Sequence, residues 1–364
     1  MRILVVNAGS STLKLRVLDP GDRVVGSSDL PPPAEGSVES EVAEAVRSFG
    51  RVDAVGHRIV HGGTEFTGPV RIDIEVERRL RSLADLAPLH QPKSLAALDA
   101  ISEILPGVPA VASFDTAFHS SLPAAAATYA VPLEWREHLG VRRYGFHGLS
   151  HAYASRRAAE VLARPTSKLR LVTCHLGAGA SLAAVQENRS VDTTMGFTPL
   201  EGLVMATRSG SVDPGLVLWL EDRAGIPSAE LASTLEHRSG LLGLAGTADM
   251  REVLAAAAAG EATARLALDV YVHRARAGVA SMAAAMGGVE AVVFTGGVGE
   301  NAPEVRWLVA EGLGFLGMEV ESDANEASSP VDRDISAPDA PVRTLVVAAR
   351  EDLEIAREVR NVLR

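Results

Sequence analysis

The sequence lacks most features that mark secreted, membrane-bound or nucleic-acid-binding proteins. Cys174 is the only cysteine among 364 residues, so no disulfide can form within the chain, which is typical of the reducing cytoplasm. No apolar run reaches about 18 residues, and the apolar stretch at the N-terminus is too short for a signal-peptide core. The formal net charge is −11, whereas general nucleic-acid binders are usually basic. We therefore expect a cytoplasmic protein that binds neither membranes nor nucleic acids.

Two common nucleotide-binding patterns are also missing. Neither the P-loop pattern GxxxxGK[ST] nor the dinucleotide pattern GxGxxG occurs in the right context, which argues against both folds. Lysine is scarce, since Lys14, Lys93 and Lys168 are the only lysines among 35 basic residues. A lysine kept at position 14, in a glycine-containing loop, favours a compact point charge there. The alternative is that Lys14 is an ordinary solvated strand residue.

Two strand–turn–strand segments lie about 170 residues apart and resemble each other. Residues 3–6 are apolar, residues 7–11 are small or polar, and residues 13–17 alternate, which predicts a β-hairpin. The same order recurs around residues 176–181 and indicates two similar lobes. Residues 20–37 are rich in Pro, Gly and Ser, and we predict a loop there.

Apolar spacing and breaker residues predict the other elements that matter here. Helices are expected at 93–105, 150–163 and 352–363, and as a buried Ala-rich pair within 254–286 with a break at Gly260. Strands are expected at 108–114, 291–294 and 345–347.

Three glycine-containing turns are candidates for holding phosphate groups. They are Asn7–Lys14, His175–Ser181 and Thr295–Asn301, each next to a predicted strand. Converging backbone N–H groups bind phosphate, and glycine allows a ligand to approach the backbone closely. The Gly pair of the third turn also suits an adenosine. Each turn alone has a purely structural explanation, but three of them spread over both halves favour a nucleotide site.

Four polar clusters interrupt apolar segments, at 56–63, 114–119, 144–151 and 205–214. Arg58 is followed by Ile59 and Val60, and a buried arginine is costly without an anion. Arg58 and Arg208 are therefore candidates to bind a carboxylate and a phosphoryl group through bidentate hydrogen bonds. An internal arginine–aspartate pair is the alternative.

Two histidine pairs at i, i+4 raise the question of zinc. His57/His61 and His147/His151 lack the glutamate of HExxH, and glycines interrupt both segments, so zinc is disfavoured. Asp115 and Glu351 lie near predicted strand ends and supply hard oxygen ligands. Such ligands favour Mg²⁺ bound together with phosphate groups.

These clusters, in this order, resemble the acetate kinase family of the sugar kinase/Hsc70/actin superfamily. The resemblance runs from residue 3 to about residue 357 and includes long, specific motifs such as GFTPLEG and TRSGSVDPG. The matching segments are NAGSSTLKL (7–15), VGHRIVHGG (55–63), LAPLHQP (86–92), FDTAFH (114–119), YGFHGLSH (144–151), HLGAGAS (175–181), MGFTPLEGLVMATRSGSVDPG (195–215), FTGGVGEN (294–301) and the segment around Glu351.

The resemblance implies an α/β fold with two RNase H-like lobes of the actin/hexokinase type around a central cleft. Residues 1–117 with 352–364 would form the N-terminal lobe, and residues 118–351 the nucleotide-binding lobe. The implied reaction is reversible transfer of the ATP γ-phosphate to acetate, giving acetyl phosphate and ADP. ATP is the co-substrate, Mg²⁺ (or Mn²⁺) the metal, and a homodimer the expected assembly.

The resemblance also assigns roles to individual residues of this chain. The catalytic residues would be Arg58, Asp115, His147 and Arg208. Arg58 would also bind the substrate, whose methyl group would lie in a pocket formed by Val60, Leu89, Phe146 and Pro199. Asn7 and Glu351 would lie at the metal. The nucleotide residues would be Lys14, His175, Gly177, Ala178, Gly179, Asp249, Met250, Arg251, Gly297, Gly299, Glu300 and Asn301.

The chain departs from the family pattern at several positions. Ala178 replaces a usual Asn, which removes an amide near the phosphates. Thr12 replaces Ser and keeps the hydroxyl group. Arg350 stands where a small polar residue is common and adds a charge beside Glu351. The segment between residues 18 and 50 is shorter than usual.

Other functions remain open at this point. An extra methylene changes binding by roughly 1–3 kcal/mol in a fitted pocket, so a propionate or butyrate kinase is a close alternative. A non-catalytic nucleotide-binding regulator would be consistent with Ala178, and a polyphosphate or nucleotide hydrolase would need a water-activating base.

Overall fold

A computed structural model describes residues 1–9, 12–31, 39–86, 91–329 and 332–364. The chain divides into two compact units. Unit 1 comprises Met1–Ser120, Phe146–Tyr153 and Arg350–Arg364, and unit 2 comprises Ser121–Gly145 and Ala154–Ala349. The segment 146–153, which the sequence-based division assigned to the nucleotide-binding lobe, packs with unit 1.

The elements occur as short runs of strands separated by one or more helices. The strands are β1 (Ile3–Ala8), β2 (Leu13–Leu18), β3 (Val24–Leu30), β4 (Ala54–Ile59), β5 (Val70–Arg71), β6 (Ala110–Phe114), β7 (Arg170–Leu176), β8 (Ala180–Gln186), β9 (Arg189–Thr193), β10 (Ala291–Thr295), β11 (Arg333–Asp334) and β12 (Arg343–Val346). The α-helices are α1 (Glu39–Ser48), α2 (Ile74–Ser82), α3 (Gln91–Ile104), α4 (Ala124–Ala127), α5 (Leu133–His138), α6 (Gly148–Val161), α7 (Pro214–Ala224), α8 (Ser228–His237), α9 (Gly240–Ala245), α10 (Met250–Ala258), α11 (Ala262–Ala285), α12 (Gly296–Asn301), α13 (Pro303–Glu311), α14 (Ser322–Glu326) and α15 (Glu351–Val362). Short 3₁₀ segments are Ala84–Leu86, Ala117–Ser121, Thr166–Lys168 and Gly314–Leu316.

Each unit is built on a six-stranded sheet with the same strand order. The first sheet runs β3-β2-β1-β4-β6-β5, and the second runs β9-β8-β7-β10-β12-β11. In both, the first three strands of the unit are antiparallel neighbours, and the central strands β1, β4, β6 and β7, β10, β12 are parallel. This repetition confirms the two similar lobes that the related hairpins predicted.

Burial explains which face of each strand meets which helix. Strand β1 begins with four buried apolar residues, Ile3 to Val6, as expected for a central strand covered on both faces. Leu4 and Val6 pack in the cluster that includes residues of α1 and α3, whereas Ile3 and Val5 pack against α15. Each fully buried aliphatic side chain stabilises the unit by about 1.5–3 kcal/mol.

Most sequence-predicted elements are confirmed. The predicted helices correspond to α3, α6, α15 and the pair α10 and α11, with Gly260 in a left-handed conformation (φ +90°) between the last two. The predicted loop at 20–37 is wrong at Val24–Leu30, which form β3 and pair with β2, whereas residues 32–37 lie outside the described residues. Val24 and Val25 are β-branched and favour a strand, which the Gly and Ser residues around them obscured.

The described residues were also searched for membrane-spanning helices. None of their helices is both long and apolar enough to cross a bilayer.

Candidate active site

Asn7, Arg58 and Asp115 lie at the carboxyl ends of three neighbouring parallel strands in unit 1. Asn7 is in β1, Arg58 is in β4, and Asp115 directly follows β6. Alternation along β1 and β4 points Asn7 and Arg58 to the face that α15 covers, where Gly56 lies against Ile355. Ligands in α/β sheets commonly bind outside the carboxyl ends of parallel strands.

Hydrogen bonds join these three residues to Glu351 in a chain, which we call the strand-end cluster (Asn7, Arg58, Asp115 and Glu351). Arg58 Nε and Nη2 donate to the two carboxylate oxygens of Asp115 at 2.9 and 2.5 Å. Arg58 Nη1 donates to Asn7 Oδ1 at 3.0 Å, and Asn7 Nδ2 donates to Glu351 Oε2 at 2.8 Å. The structure therefore brings together four residues that are separated by up to 344 positions in the sequence.

The charges of the strand-end cluster do not cancel. Burial would lower the pKa of Arg58, but the carboxylates of Asp115 and Glu351 raise it, so its guanidinium stays charged. One guanidinium faces two carboxylates, which gives a formal charge of +1 − 2 = −1. The excess of carboxylate charge within these four residues favours a divalent cation.

The donor set of this cluster fits Mg²⁺. Magnesium usually takes one or two carboxylates and completes its shell with water and substrate phosphate oxygens. Asp115 and Glu351 supply two carboxylates on one edge of the sheet, with the Asn7 amide between them. Within the described ranges, no three His, Cys, Asp or Glu side chains form a metal-binding group.

His147 stands in a tight turn against the backbone of Asp115. Gly148 N donates to the Asp115 carbonyl at 2.8 Å, and a Cβ at position 148 would lie 2.2 Å from that oxygen. His147 has a left-handed backbone (φ +57°), which is uncommon for a residue other than glycine. Such conformations cost of order 1–3 kcal/mol and cluster at functional sites. This turn holds the backbone at Gly148, the residue after His147, against that of Asp115.

The predicted substrate-pocket residues are mostly apolar and buried. Val60 directly follows β4, and Phe146 packs edge-on against His61 with ring centroids 5.5 Å apart. Pro199 is buried in unit 2. Leu89 lies outside the described residues.

Lys14 pairs with Asn7 across the β1–β2 ladder and is exposed. Its side chain is therefore on the same face of the sheet as Asn7. Ser10 and Ser11, which precede Lys14 in the same turn, lie outside the described residues.

Arg208 is held in unit 2 by an acid that the sequence analysis did not identify. Its Nε lies 2.7 Å from Glu236 Oε1, and Nη1 donates to the Pro199 carbonyl at 3.3 Å. Gly240 lies against this turn, because a Cβ there would be 2.2 Å from the Met205 carbonyl oxygen. Arginine–acid pairing thus occurs at both predicted arginines. The only sequence signal for Glu236 was its place in α8, a helix with apolar residues at helical spacing. The structure shows that Glu236 is the buried glutamate of this helix.

Two of the predicted glycine turns meet at the carboxyl edge of the second sheet. His175 in β7 and Thr295 in β10 are register partners. The Cβ position of Gly177 lies 3.6 Å from His175 Nε2 and 3.9 Å from Gly297 N. The predicted turn at Thr295–Asn301 is wrong in its local structure, because Gly296–Asn301 form the short helix α12. We nevertheless call His175–Ser181 and Thr295–Asn301 the glycine loops.

The first glycine loop is also hydrogen-bonded to the segment just before Arg208. Ala206 N donates to the Ala178 carbonyl at 3.1 Å, and Gly177 N donates to the Gly179 carbonyl at 2.9 Å. The methyl group of Ala178 is exposed. The loop that lacks the usual amide side chain therefore keeps a backbone link to the segment that carries Arg208.

The remaining predicted nucleotide residues are held by local contacts. Asp249 caps α10 and pairs with Arg251, whose hydrogen bonds lower the pKa of Asp249 to about 2. Met250 is buried. Glu300 Oε1 accepts from Ala349 N at 3.0 Å, and Asn301 Nδ2 donates to the Gly297 carbonyl at 2.9 Å.

Arg350 carries a charge that its neighbour balances. Its Nε and Nη2 each donate to Asp352 at 2.9 Å. Asp352 thus neutralises the charge that Arg350 adds beside Glu351. The acidic residues within 351–354 were only an indirect sequence signal for this pairing.

Comparisons with known proteins agree on one family. The profile of the acetokinase family matches residues 35–357. An acetate kinase of Synechococcus sp. (strain JA-2-3B'a(2-13)) is 44% identical, and the alignment covers 100% of both chains. The crystal structure of Porphyromonas gingivalis acetate kinase superposes with a TM-score of 0.91 at 38% identity and 100% coverage of both chains. A propionate kinase from Francisella tularensis superposes with a TM-score of 0.91 at 35% identity, covering 99% of each chain. These matches confirm the resemblance and the predicted fold class.

Proposed function

Because the chain belongs to the acetokinase family, we propose that it transfers the γ-phosphoryl group of ATP to acetate, reversibly, to give acetyl phosphate and ADP. The observation that carries this proposal is the strand-end cluster, in which Arg58, Asp115, Asn7 and Glu351 are joined by hydrogen bonds. A partly buried guanidinium beside two carboxylates is suited to hold an anionic substrate next to a metal-bound phosphate.

The acceptor needs no general base in this reaction. Carboxylic acids have pKa values near 4, so acetate is already ionised at neutral pH. The protein has to align two anions that repel each other and to neutralise charge that develops on the transferred group. We assign direct in-line attack of an acetate oxygen on the γ-phosphorus, with Arg58, His147 and Arg208 donating to the phosphoryl oxygens.

The ion-pair geometry supports a role for Arg58 both in pairing with Asp115 and in binding the anionic substrate. Nε and Nη2 are oriented by Asp115, and Nη1 is directed toward Asn7. A guanidinium fixed in this way loses little conformational entropy when an anion arrives. The pairing with Asp115 is therefore compatible with substrate binding, and it sets the orientation of the arginine beforehand.

We assign Mg²⁺, with Mn²⁺ as a substitute, to Asp115 and Glu351 with Asn7 at their side. The bound ion would neutralise phosphate charge and orient the γ-phosphoryl group. Asn7 links the Arg58 guanidinium to the Glu351 carboxylate and so keeps the acidic group in position.

We assign the nucleotide to unit 2. The glycine loops offer backbone N–H groups with little side-chain obstruction, since a Cβ at Gly297 would meet no atom within 4 Å. Asp249, Met250 and Arg251 would contact the nucleoside, and Lys14 would lie near the phosphates. Val60, Leu89, Phe146 and Pro199 would surround the methyl group of acetate.

We also propose a cytoplasmic homodimer. Helix α7 has no buried residue, and Leu216, Leu218 and Trp219 are exposed to 44%, 65% and 57%. An apolar surface of this kind favours contact with a second copy of the chain. Trp219→Glu should give monomers in multi-angle light scattering, whereas Phe315→Glu, at an exposed apolar residue elsewhere, should leave the dimer intact. A dimer that survives Trp219→Glu would exclude α7 as the interface.

The function is tested by trapping the acyl phosphate as a hydroxamate. With ATP and Mg²⁺, acetate should give product with a higher kcat/KM than propionate or butyrate. A higher value for propionate would identify a propionate kinase instead, the activity of the similar Francisella tularensis protein. Phosphate release without any acid would indicate a hydrolase, and nucleotide binding without turnover would indicate a regulator.

A further inference from the structure

Arg306, in α13, is a buried arginine whose hydrogen bonds all go to uncharged oxygen atoms. The residue is 1% exposed. Nη1 donates to the carbonyls of Gly299 at 2.9 Å and Glu300 at 2.8 Å. Nε donates to Asn325 Oδ1 at 2.8 Å, and Nη2 donates to the Asn325 carbonyl at 2.5 Å. The guanidinium thus joins α12 to α14.

A buried charge with this environment is expensive to keep. Burial and, to a smaller extent, the nearby charge of Arg333 together lower the pKa of Arg306 to about 10. The side chain remains charged at neutral pH, so its cost must be offset by the hydrogen bonds it makes. An aliphatic residue of similar volume would fill the space without that cost, which indicates that the bonds themselves are required.

Two of these bonds go to the second glycine loop. Helix α12 has only six residues, and so short a helix is not stable alone. Its first residue, Gly296, packs against β7, since a Cβ there would be 2.8 Å from the Leu176 carbonyl oxygen. Its last carbonyls, at Gly299 and Glu300, are those that helices usually leave without partners, and a cation is favourable at that end.

Asn325 fixes the guanidinium from the other side. It is 2% exposed, and its Nδ2 donates to the Pro303 carbonyl at 2.9 Å while its oxygen atoms accept from Arg306. Pro303 begins α13 directly after the loop. The loop, Arg306 and Asn325 therefore form one closed hydrogen-bonded unit.

We propose that Arg306 is a positioning residue for nucleotide binding, which holds the Gly297–Asn301 segment of α12 in its binding shape through the Gly299 and Glu300 carbonyls. The inference rests on the proposed nucleotide role of this loop. Arg306 itself touches no substrate in this assignment, and it acts only through the loop.

The test is the affinity for ADP, measured by isothermal titration, together with the KM values for ATP and acetate. Arg306→Met keeps the volume and removes the donors. We expect ADP binding to weaken about 10-fold or more, because small misplacements of a binding group have effects of that order. The KM for ATP should rise in parallel, and the KM for acetate should stay within about twofold.

Arg276→Met is the matched control. Arg276 also donates to a backbone carbonyl of α13, that of Leu308, but it does not contact the glycine loops. If Arg276→Met weakens ADP binding as much as Arg306→Met, the effect is general destabilisation and the proposal fails. The proposal also fails if folded Arg306→Met binds ADP within about twofold of the wild type.

Two further variants keep the test decisive. If Arg306→Met does not fold, Arg306→Lys, which keeps the charge but not the planar fork, should weaken ADP binding about threefold or more, and an unchanged affinity overturns the proposal. Gly297→Val tests the loop assignment separately. If Gly297→Val leaves ADP binding unchanged, the nucleotide role of the loop is wrong; if only Gly297→Val has an effect, the loop binds nucleotide and Arg306 does not position it.

Discussion

The two sheets share one strand order but differ in what stands at the carboxyl ends of their central parallel strands. In unit 1 that edge carries ionised side chains, with Arg58 between Asp115 and Asn7. In unit 2 the same edge carries glycine loops, where His175, Gly177 and Gly297 come together. One scaffold thus supplies charge through side chains in one unit and open backbone in the other.

The difference explains how two anionic reactants can be handled by similar folds. In the proposed function, charged side chains orient a small carboxylate and a metal ion, because they act as bidentate donors and hard ligands. Backbone N–H groups suit phosphates, since they offer many donors without side-chain bulk. Arg208 departs from this division, because it is an ionised side chain in unit 2.

The largest expected effect comes from removing the side chain of Arg208. Arg208→Ala should lower kcat by about 10²–10³, or about 3–4 kcal/mol, as is typical for a lost donor to a transition-state oxygen. The substitution removes the ion pair between Arg208 and the buried Glu236, so Arg208→Ala combined with Glu236→Gln should recover thermal stability but not activity. Steady-state kinetics and thermal unfolding of both variants check this. Near-normal kcat in either variant would show that Arg208 has no catalytic role.

Acid should affect unit 1 before unit 2. Burial lowers the pKa values of His57 and His61, both in unit 1, to about 4 each. The folded state therefore binds fewer protons than the unfolded state between about pH 6.5 and pH 4. The stabilisation is complete above about pH 6.5 and is lost as the pH falls toward 4, by about 3 kcal/mol for each histidine.

Hydrogen exchange at about pH 4.5 and pH 7 measures this difference. Strand β4 should lose protection at the lower pH while β10 keeps it, relative to the intrinsic exchange rates. His57→Leu should flatten the pH dependence in β4. Equal losses in β4 and β10 would contradict the assignment of acid sensitivity to unit 1.

Ala178→Asn should improve nucleotide binding by the first glycine loop without destabilising the protein. The side chain at 178 is exposed, so the change should leave stability within about 0.5 kcal/mol. An added amide that reaches a phosphate should improve the KM for ATP about fivefold, the effect of one hydrogen bond of about 1 kcal/mol. Ala178→Leu is the control for size without a donor. If both variants behave alike, position 178 does not contact the phosphates.

The smallest effect is expected at Arg350. Because Asp352 neutralises Arg350, Arg350→Ser should change kcat by less than about twofold. Asp352→Asn removes the balancing charge and should weaken Mg²⁺ activation about two- to threefold. Titration of activity with Mg²⁺ compares the two variants. A larger effect for Arg350→Ser than for Asp352→Asn would mean that Arg350 itself supports the metal site.

Local sequence patterns predicted much of this molecule, because they encode local structure. The hairpin β1–β2, the break at Gly260 and the helix α15 follow from alternation, glycine and amphipathic spacing. Strand β3 was missed because it is an exposed edge strand whose pairing with β2 stabilises a segment with weak apolar alternation.

Long-range partners could not be predicted in this way. Glu236 lies 28 residues after Arg208 (236 − 208 = 28), and no local pattern links the two. The same holds for Asn325 and Arg306, whose contact depends on how α14 packs on α13. Candidate residues could therefore be identified from motifs, whereas the acids and amides that orient them required the fold.

The most direct test of the account is a crossed measurement of KM. Val60→Ala, in unit 1, should raise the KM for acetate several-fold and leave that for ATP unchanged, because shortening a fitted pocket costs roughly 1–3 kcal/mol. Gly297→Val, in unit 2, should raise the KM for ATP and leave that for acetate unchanged, since its added side chain enters space next to the glycine loops. If both variants changed the same KM, or if the wild type formed no acetyl hydroxamate, the proposed division of roles between side-chain cluster and glycine loops would be wrong.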